Sequence, residues 1–375
     1  MSLTHTKYEK REARKKLFIN ILIILALIMV FLLSIDLIGA AFLNLSKTIA
    51  ESFLLLTSNP FIGLFIGLLI TTIIQSSSTS TSMIVAVVAS GSLSLRSAIP
   101  MIMGANIGTT ITSTLVSLAF ITKKAQFRRA LSAGASHDMF NILITIVLFP
   151  LEYYYGFLTN LTQYLADLIV PNLAQNTEQG FQYRLFNPSL VTNFIIDLIS
   201  NSWVVLILAF VLLLGSIKLL SKEVYRLLKG EFRDRLQRHF ETPSSSFLWG
   251  LLLTGAVQSS SITTSLIVPI VATSRINLQQ AFPFIMGANI GTTLTAFLAA
   301  LFKSNAAISI AIAHLTFNLI GVIIFLPFAF TRRLPLFLAD ELGRTTMNYR
   351  LIGFFYIIIA FFLLPFTLIY LNQHL

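Results

Sequence analysis

Apolar residues arrive in long runs along this chain, and polar ones cluster between them or interrupt them at two matched places. Leu17–Ile38 is the first run, with six Lys/Arg immediately before it. It is longer than the 7–15-residue apolar core of a signal peptide, so it reads as an uncleaved span. Pro100–Phe120, Leu131–Pro150, Trp203–Leu220, Ala281–Phe302, Ala306–Phe330 and Leu351–Tyr370 are further runs near the ~20 residues needed to cross a bilayer. Two other segments are apolar only at their ends. Phe61–Ala89 is broken by Gln75-Ser76-Ser77-Ser78-Thr79-Ser80-Thr81-Ser82, and Phe247–Ala272 by Gln258-Ser259-Ser260-Ser261-Ile262-Thr263-Thr264-Ser265. Such polar stretches cannot face lipid and must be buried in protein or line a cavity. Short apolar arms around a polar tip predict re-entrant helical hairpins, because each arm is too short to span at 1.5 Å per residue.

The two interrupted segments belong to a repeat. Residues 75–112 align with 258–295 without a gap, at a constant offset of 183, with 23 identities in 38 positions. The shared Gln-Ser-Ser-Ser and Met-Gly-Ala-Asn-Ile-Gly-Thr-Thr stretches are small or polar, so apolar composition does not account for them. His137-Asp138-Met139-Phe140-Asn141 matches His314-Leu315-Thr316-Phe317-Asn318 at offset 177.

Composition agrees with a membrane protein: 55% hydrophobic, 11% charged and mean hydropathy +0.82. A soluble domain carries about a quarter charged residues. Cys is absent, which removes disulfides, thiolate metal sites and a Cys nucleophile. The net charge of +11 raises nucleic acid as a partner, but the basic residues sit in blocks beside the apolar runs: Lys7–Lys16, Lys123–Arg129, Lys218–Arg238 and Arg332–Arg350. Juxtamembrane Lys/Arg mark cytoplasmic loops, so nucleic acid is set aside. Seven spans with a cytoplasmic amino terminus leave Lys47, Arg96, Arg184 and Lys303 outside and 22 basic residues inside. The carboxyl terminus is then external.

That topology makes the copies inverted, since the first hairpin starts from outside and the second from inside. The expected fold is an all-α polytopic membrane protein of two inverted-topology repeats, each a re-entrant hairpin plus transmembrane helices. Repeat 1 covers 60–150 and repeat 2 covers 247–330. Segment 1–59 holds the cytoplasmic amino terminus, first span and external linker. Segment 151–246 holds an external region, a connecting span and a basic cytoplasmic loop, and 331–375 a cytoplasmic loop and the last span. Inverted repeats with interrupted helices point to a secondary transporter whose site lies at the repeat interface near the midplane.

The tips offer the chemistry for an anion. Ser residues ahead of the second arm of each hairpin can cap it, turning free N–H groups and the positive helix end toward the cavity. The plain alternative is that Ser and Thr glue helices together. Gly and Asn in Met103–Thr110 and Met286–Thr293 disfavour an unbroken helix. Unwound carbonyls, Asn106, Asn289, Thr109, Thr110, Thr292 and Thr293 would then supply hard oxygen ligands for Na⁺, with the Gly residues serving packing. His137 and His314 read as residues of helix packing or of a hydrogen bond at the cytoplasmic helix end; the Gly-x-Ser-x-Gly elbow of a hydrolase is missing. Asp138, which Leu315 replaces in the second copy, is either a cation or proton partner or a helix cap. Apart from Lys218, in the last turn of its span beside a basic block, no Lys or Arg lies inside any expected span or hairpin core, so a transported anion must be met by helix ends, hydroxyls and co-bound cations.

The paired Gln-Ser-Ser-Ser and Gly-Ala-Asn-Ile-Gly-Thr segments, with Phe127-Arg128-Arg129 and His137-Asp138-x-Phe140-Asn141, resemble the type II sodium/phosphate cotransporter family over about residues 60–330. The resemblance implies sodium-driven symport of inorganic phosphate by alternating access, and no catalysis. It implies phosphate-site roles for Ser76, Ser77, Ser78, Ser259, Ser260 and Ser261. It implies sodium-site or shared roles for Gln75, Gln258, Asn106, Asn289, Thr292 and Thr295. The partners are phosphate, Na⁺ as coupling ion and the lipid bilayer, with a homodimer as candidate assembly and no cofactor. The chain lacks the long cysteine-bearing external loop of animal members, so it resembles a bacterial member of the inner membrane. In charge-moving members an Asp lies shortly before Phe-Arg-Arg; Lys123 stands there, implying one sodium fewer, with Asp138 the competing ligand for that ion. Another oxyanion as cargo, or an anion channel, are the alternatives.

Overall fold

A computed structural model of the chain describes residues 2–45, 59–174, 188–199, 201–235, 240–300 and 303–374. It is all-helical there. Helix α1 (Ser2–Leu43) is followed by α2 (Pro60–Ile74), α3 (Ser77–Ala89), α4 (Leu95–Gly108), the short α5 (Ile111–Ser117) and a 3₁₀ turn, Leu118–Phe120. Then come α6 (Lys124–Tyr155), α7 (Phe157–Ala174), α8 (Pro188–Leu198) and α9 (Ser202–Arg235). The second copy holds α10 (Pro243–Val257), α11 (Ser260–Ala272), α12 (Leu278–Ala300) and α13 (Asn305–Phe325). Helix α14 (Ala329–Asn348) precedes α15 (Leu351–Ile358), which passes through a π-helical stretch, Ile359–Leu363, into α16 (Leu364–His374).

Seven stretches among the described residues are long and apolar enough to cross a membrane: Ile19–Leu43, Leu95–Phe120, Lys124–Tyr155, Ser202–Arg226, Leu278–Ala300, Asn305–Phe325 and Leu351–Asn372. Each overlaps one of the seven expected spans. The hairpin arms are shorter, 15 and 13 residues in each copy. Lys47 and Arg184, expected outside, lie outside the described residues.

Each hairpin breaks at its glutamine. Gln75 (φ 57°) and Gln258 (φ 55°) take the left-handed conformation that ends α2 and α10, and their N–H groups donate to Thr71 and Thr254 carbonyls. The next residue, Ser76 or Ser259, is extended and its hydroxyl accepts an N–H of the following helix. This is the N-cap geometry that serine favours.

Small residues let the arms pack. A β-carbon on Gly104 would collide with the Leu64 carbonyl, and one on Gly287 with the Phe247 carbonyl; Gly67 and Gly250 lie equally close to Met101 and Phe284. Thus α2 lies against α4 and α10 against α12, backbone to backbone. Backbone approach through small residues replaces the hydrophobic drive that lipid cannot supply. Gly287→Ala is expected to lower the thermal unfolding transition in detergent by several degrees, since overpacking costs about 1–3 kcal/mol. Gly215→Ala on α9, where nothing lies within 4 Å of an added β-carbon, serves as the neutral control.

The glycine-bearing spans are less broken than their composition suggests. Helix α12 runs without interruption through Met286–Thr293, and in the first copy the helical backbone only tightens at Thr109 and Thr110. The expected unwinding is corrected accordingly. Glycine disfavours a helix by losing backbone freedom, but here the neighbouring backbone fills the space and burial keeps the helical hydrogen bonds.

The centre is sealed by Phe140, Phe282, Phe317 and Phe325, all buried, with Phe140 edge-on to Phe282. At the other end of α6, Glu152 accepts the Leu158 and Thr159 N–H groups, capping α7 across the left-handed Gly156. Lys303, in the turn before α13, pairs with Asp36 of α1. Burial lowers the Lys303 pKa to about 8. The 331–350 loop is a helix: α14 packs along α6, with Gly343 against Ser132 and Arg128.

Candidate functional site

The two hairpin tips meet. The Ser78 hydroxyl donates to the Gln258 carbonyl at 2.9 Å, and the Ser261 hydroxyl donates to the Gln75 carbonyl at 3.0 Å. Ser78 and Ser261 are equivalent at offset 183, as are Gln75 and Gln258, so each tip holds the other by the same bond. Thr109 joins them, 3.4 Å from the Ser261 hydroxyl, and Ser113 meets Thr264 of the opposite copy at 2.8 Å.

What the tips leave unpaired matters more. Ser76 and Ser259 satisfy the third N–H of α3 and α11. The N–H groups of Ser77, Ser78, Ser260 and Ser261 have no acceptor among the described residues. The hydroxyls of Ser77 and Ser260 likewise make no hydrogen bond among the described residues, and each residue is only 3% exposed. Two helix N-termini from opposite copies therefore offer free donors in one place. Such termini carry partial positive charge and bind anions. No Lys or Arg is among the described buried residues. Gln75 is exposed at the rim, and Gln258 is half-buried.

Behind the tips lie two buried triads. His137 Nε2 donates to Asn289 Oδ1 at 2.7 Å, and Asn289 donates to Asn141 Oδ1 at 3.2 Å. Reciprocally, His314 Nε2 and Asn318 Nδ2 both donate to Asn106 Oδ1 at 3.1 Å. All six residues are 3% exposed or less. Each triad ties the span after one hairpin to a helix of the other copy. The amide oxygens of Asn106 and Asn289 are thus engaged in the protein. His137 and His314 join helices, as the sequence suggests, deep in the core rather than at an end.

The threonines divide. Thr110, Thr292 and Thr293 bond the carbonyls of Ile107, Ala288 and Ile290 within their own helices. Thr295 is buried with its hydroxyl unpartnered, and so is its counterpart Thr112. The structure brings Ser76–Ser78, Ser259–Ser261, both glutamines and Thr109 together, and holds Asn106 and Asn289 one layer behind.

One cluster was not assembled from the sequence. Asp138 is fully buried in the middle of α6, which excludes its reading as a helix cap. Its oxygens accept from Thr114 Oγ1 at 3.0 Å and Tyr356 OH at 2.8 Å, and no basic side chain among the described residues pairs with it. Tyr356 comes from the last span, just before the π-helical stretch, a feature frequent at functional sites. Lys123, by contrast, is exposed at the start of α6.

Residues 30–151 and 212–365 match the family described as Na⁺/Pi-cotransporter. The chain belongs to that family. Its resemblance extends to sodium-dependent phosphate transport protein 2B of Pongo abelii and of Homo sapiens, each 30% identical over 96% of this chain and 67% of the relative. Sodium-dependent phosphate transport protein 2A of Ovis aries is 32% identical over 92% of this chain and 66% of that protein. The chain thus spans about two thirds of these relatives' length. No solved structure matches it. The two matched blocks of the Na⁺/Pi-cotransporter family bracket both hairpins and Asp138, and the second reaches Tyr356.

Proposed function

We propose that this chain is a multi-pass plasma-membrane symporter that carries inorganic phosphate into the cell with Na⁺ by alternating access. The observation that supports it most is the reciprocal pair of tips, with four unpaired N–H groups and two unpaired hydroxyls from opposite copies at one point. These donors match the oxygens of a phosphate ion. Because no fixed cation offsets its charge, the anion needs mobile cations in the same site, and desolvating it alone would be prohibitive. Na⁺ is the cation named in the family and in its phosphate-transporting relatives.

In this reading the short-armed hairpins are re-entrant, the copies are inverted, and the site lies at their interface. Ser77, Ser78, Ser260 and Ser261 bind phosphate directly, while Ser76 and Ser259 hold the helix ends. Thr109, Gln75 and Gln258 lie beside the anion, where a sodium ion shared with it would sit. Asn106 and Asn289 position this layer through their triads, and Asp138 with Thr114 and Tyr356 forms a second cation site.

Phosphate uptake into proteoliposomes, with Na⁺ exchanged for K⁺, tests the coupling. Uptake driven by the Na⁺ gradient and abolished in K⁺ is expected; equal uptake in both would end the symport reading. Sulfate accumulated as well as phosphate would reassign the cargo. Topology is tested separately. Cysteines placed at Ser2 and Gln373 should react with impermeant reagents from the cytoplasmic and external sides respectively. Labelling of both from one face would refute the seven-span inverted arrangement.

A further inference from the structure

Three arginines converge on a cavity that neither the tips nor the Asp138 cluster uses. It is an open pocket of about 330 Å³, lined by Arg128, Arg129 and Ser132 of α6, the exposed Ser274 and Arg275 of the turn after α11, and Asp340 of α14. By the share of liquid volume that each water takes, that is room for about ten waters, ample for a phosphate-sized anion.

The charge inside does not balance. Arg128 Nη2 donates to both oxygens of Asp340, at 3.2 and 3.3 Å, and the same carboxylate also receives Arg344 Nε at 3.0 Å. Arg129 is pinned by its Nε, which donates to the Ala272 carbonyl at 2.9 Å; its two terminal amino groups have no acceptor among the described residues. Arg275 has no ion pair there. A single shared carboxylate thus faces three guanidinium groups. A fork of guanidinium donors held in place is the side-chain chemistry that fits phosphate and carboxylate oxygens.

The turn itself differs between the copies at the residues that matter. Residues 273–277 correspond to 90–94 at offset 183. In the first copy the left-handed position is Gly91 (φ 77°), with open space around it, followed by Ser92. In the second it is Ser274 (φ 58°), followed by Arg275. The second copy thus carries a hydroxyl on a strained backbone and a guanidinium where the first has glycine and serine. Topology anchoring asks only for positive charge somewhere in the loop, not for convergence of separate segments on a cavity.

We infer that this cavity binds a phosphate-type oxyanion, held by Arg129 and Arg275 with Ser274 beside them. The chemistry fits inorganic phosphate in solution or the phosphodiester of an anionic lipid headgroup. The site rests on the cavity alone; only its position at the cytoplasmic mouth rests on the topology proposed above. There, a site for the carried anion would fill as phosphate accumulates inside the cell.

The test is arginine modification by phenylglyoxal on the purified full-length protein in detergent, read residue by residue by peptide mass spectrometry, with exposed Arg96 as reference. Arg129 and Arg275 should be modified several-fold more slowly in inorganic phosphate, or in phosphatidylglycerol micelles, than in chloride, with Arg96 unchanged. Protection by inorganic phosphate assigns the free anion; protection by the lipid alone assigns the headgroup. Equal rates in all three overturn the inference. The protection should persist when Ser77 and Ser260 are both alanine, so failure of the transport reading leaves it standing. Loss of protection in that background would trace it to the tips and refute the cavity site. Arg275→Gln should raise the protecting concentration for Arg129 about tenfold, as expected for one lost charge-assisted bond.

Discussion

Replacing Ser77 or Ser260 with alanine is expected to raise the phosphate concentration for half-maximal uptake ten- to hundredfold, with normal membrane expression. Each serine is almost fully buried at a helix N-terminus and its hydroxyl makes no hydrogen bond among the described residues, so its removal disturbs no bond within the fold. Losing one donor to a buried anion costs about 1.5–3 kcal/mol, which is that range of affinity. The double variant should fall further, since the two donors come from opposite copies and address one ion. Ser76→Ala is the contrasting substitution. It removes the cap on Thr79 N–H, so about 0.5–2 kcal/mol should be lost from stability, read as a lower unfolding temperature. Unchanged phosphate dependence in both Ser77→Ala and Ser260→Ala would leave the tips as helix packing only.

The legibility of this site in the sequence follows from how local each feature is. The tips could be read because a run of hydroxyl residues inside an apolar segment has few physical outcomes, and because the run occurs twice. The caps at Ser76 and Ser259 follow from the same local rule. The helical path through Met286–Thr293 could not be read, since it depends on backbone from Phe247 and Leu251 filling the space that glycine leaves. Nor could the engagement of the asparagine oxygens. Asn106 meets His314 across 208 residues, and Asn289 meets His137 across 152. The motifs name these residues, but only the packing of the two copies shows that they bond one another. The arginine cavity is similar: Arg128 and Arg129 read as topology anchors, Arg275 stands outside the basic blocks, and the fold brings the three to one pocket. Helix α14 was hidden because its charged residues mask the apolar side that packs on α6.

Asp138→Asn is expected to change how sodium, not phosphate, is used. A carboxylate fully buried in a membrane span, with no basic partner among the described residues, needs a cation or a proton to offset it, because an unpaired charge there costs several kcal/mol. The Thr114 and Tyr356 hydroxyls donate to it and leave their own oxygens available to a metal ion. Leu315 in the second copy shows that the fold does not require an acid at this place. The amide keeps the size and accepts the same two bonds, so the variant should reach the membrane and carry phosphate. It should do so with a less steep dependence on Na⁺ and with one elementary charge less moved per cycle. Each charge carried across the membrane is worth ~2.3 kcal/mol per 100 mV, so the change sets how far phosphate can be concentrated. Solid-supported-membrane recordings of phosphate-evoked current, beside Na⁺ titrations of tracer uptake, would show it. If the wild-type chain moves no net charge and Asp138→Asn leaves the Na⁺ dependence intact, the one-fewer-sodium reading drawn from Lys123 stands and Asp138 only joins α6 to the last span. A sustained current in the wild type that shrinks in the variant places the extra ion at Asp138, Thr114 and Tyr356.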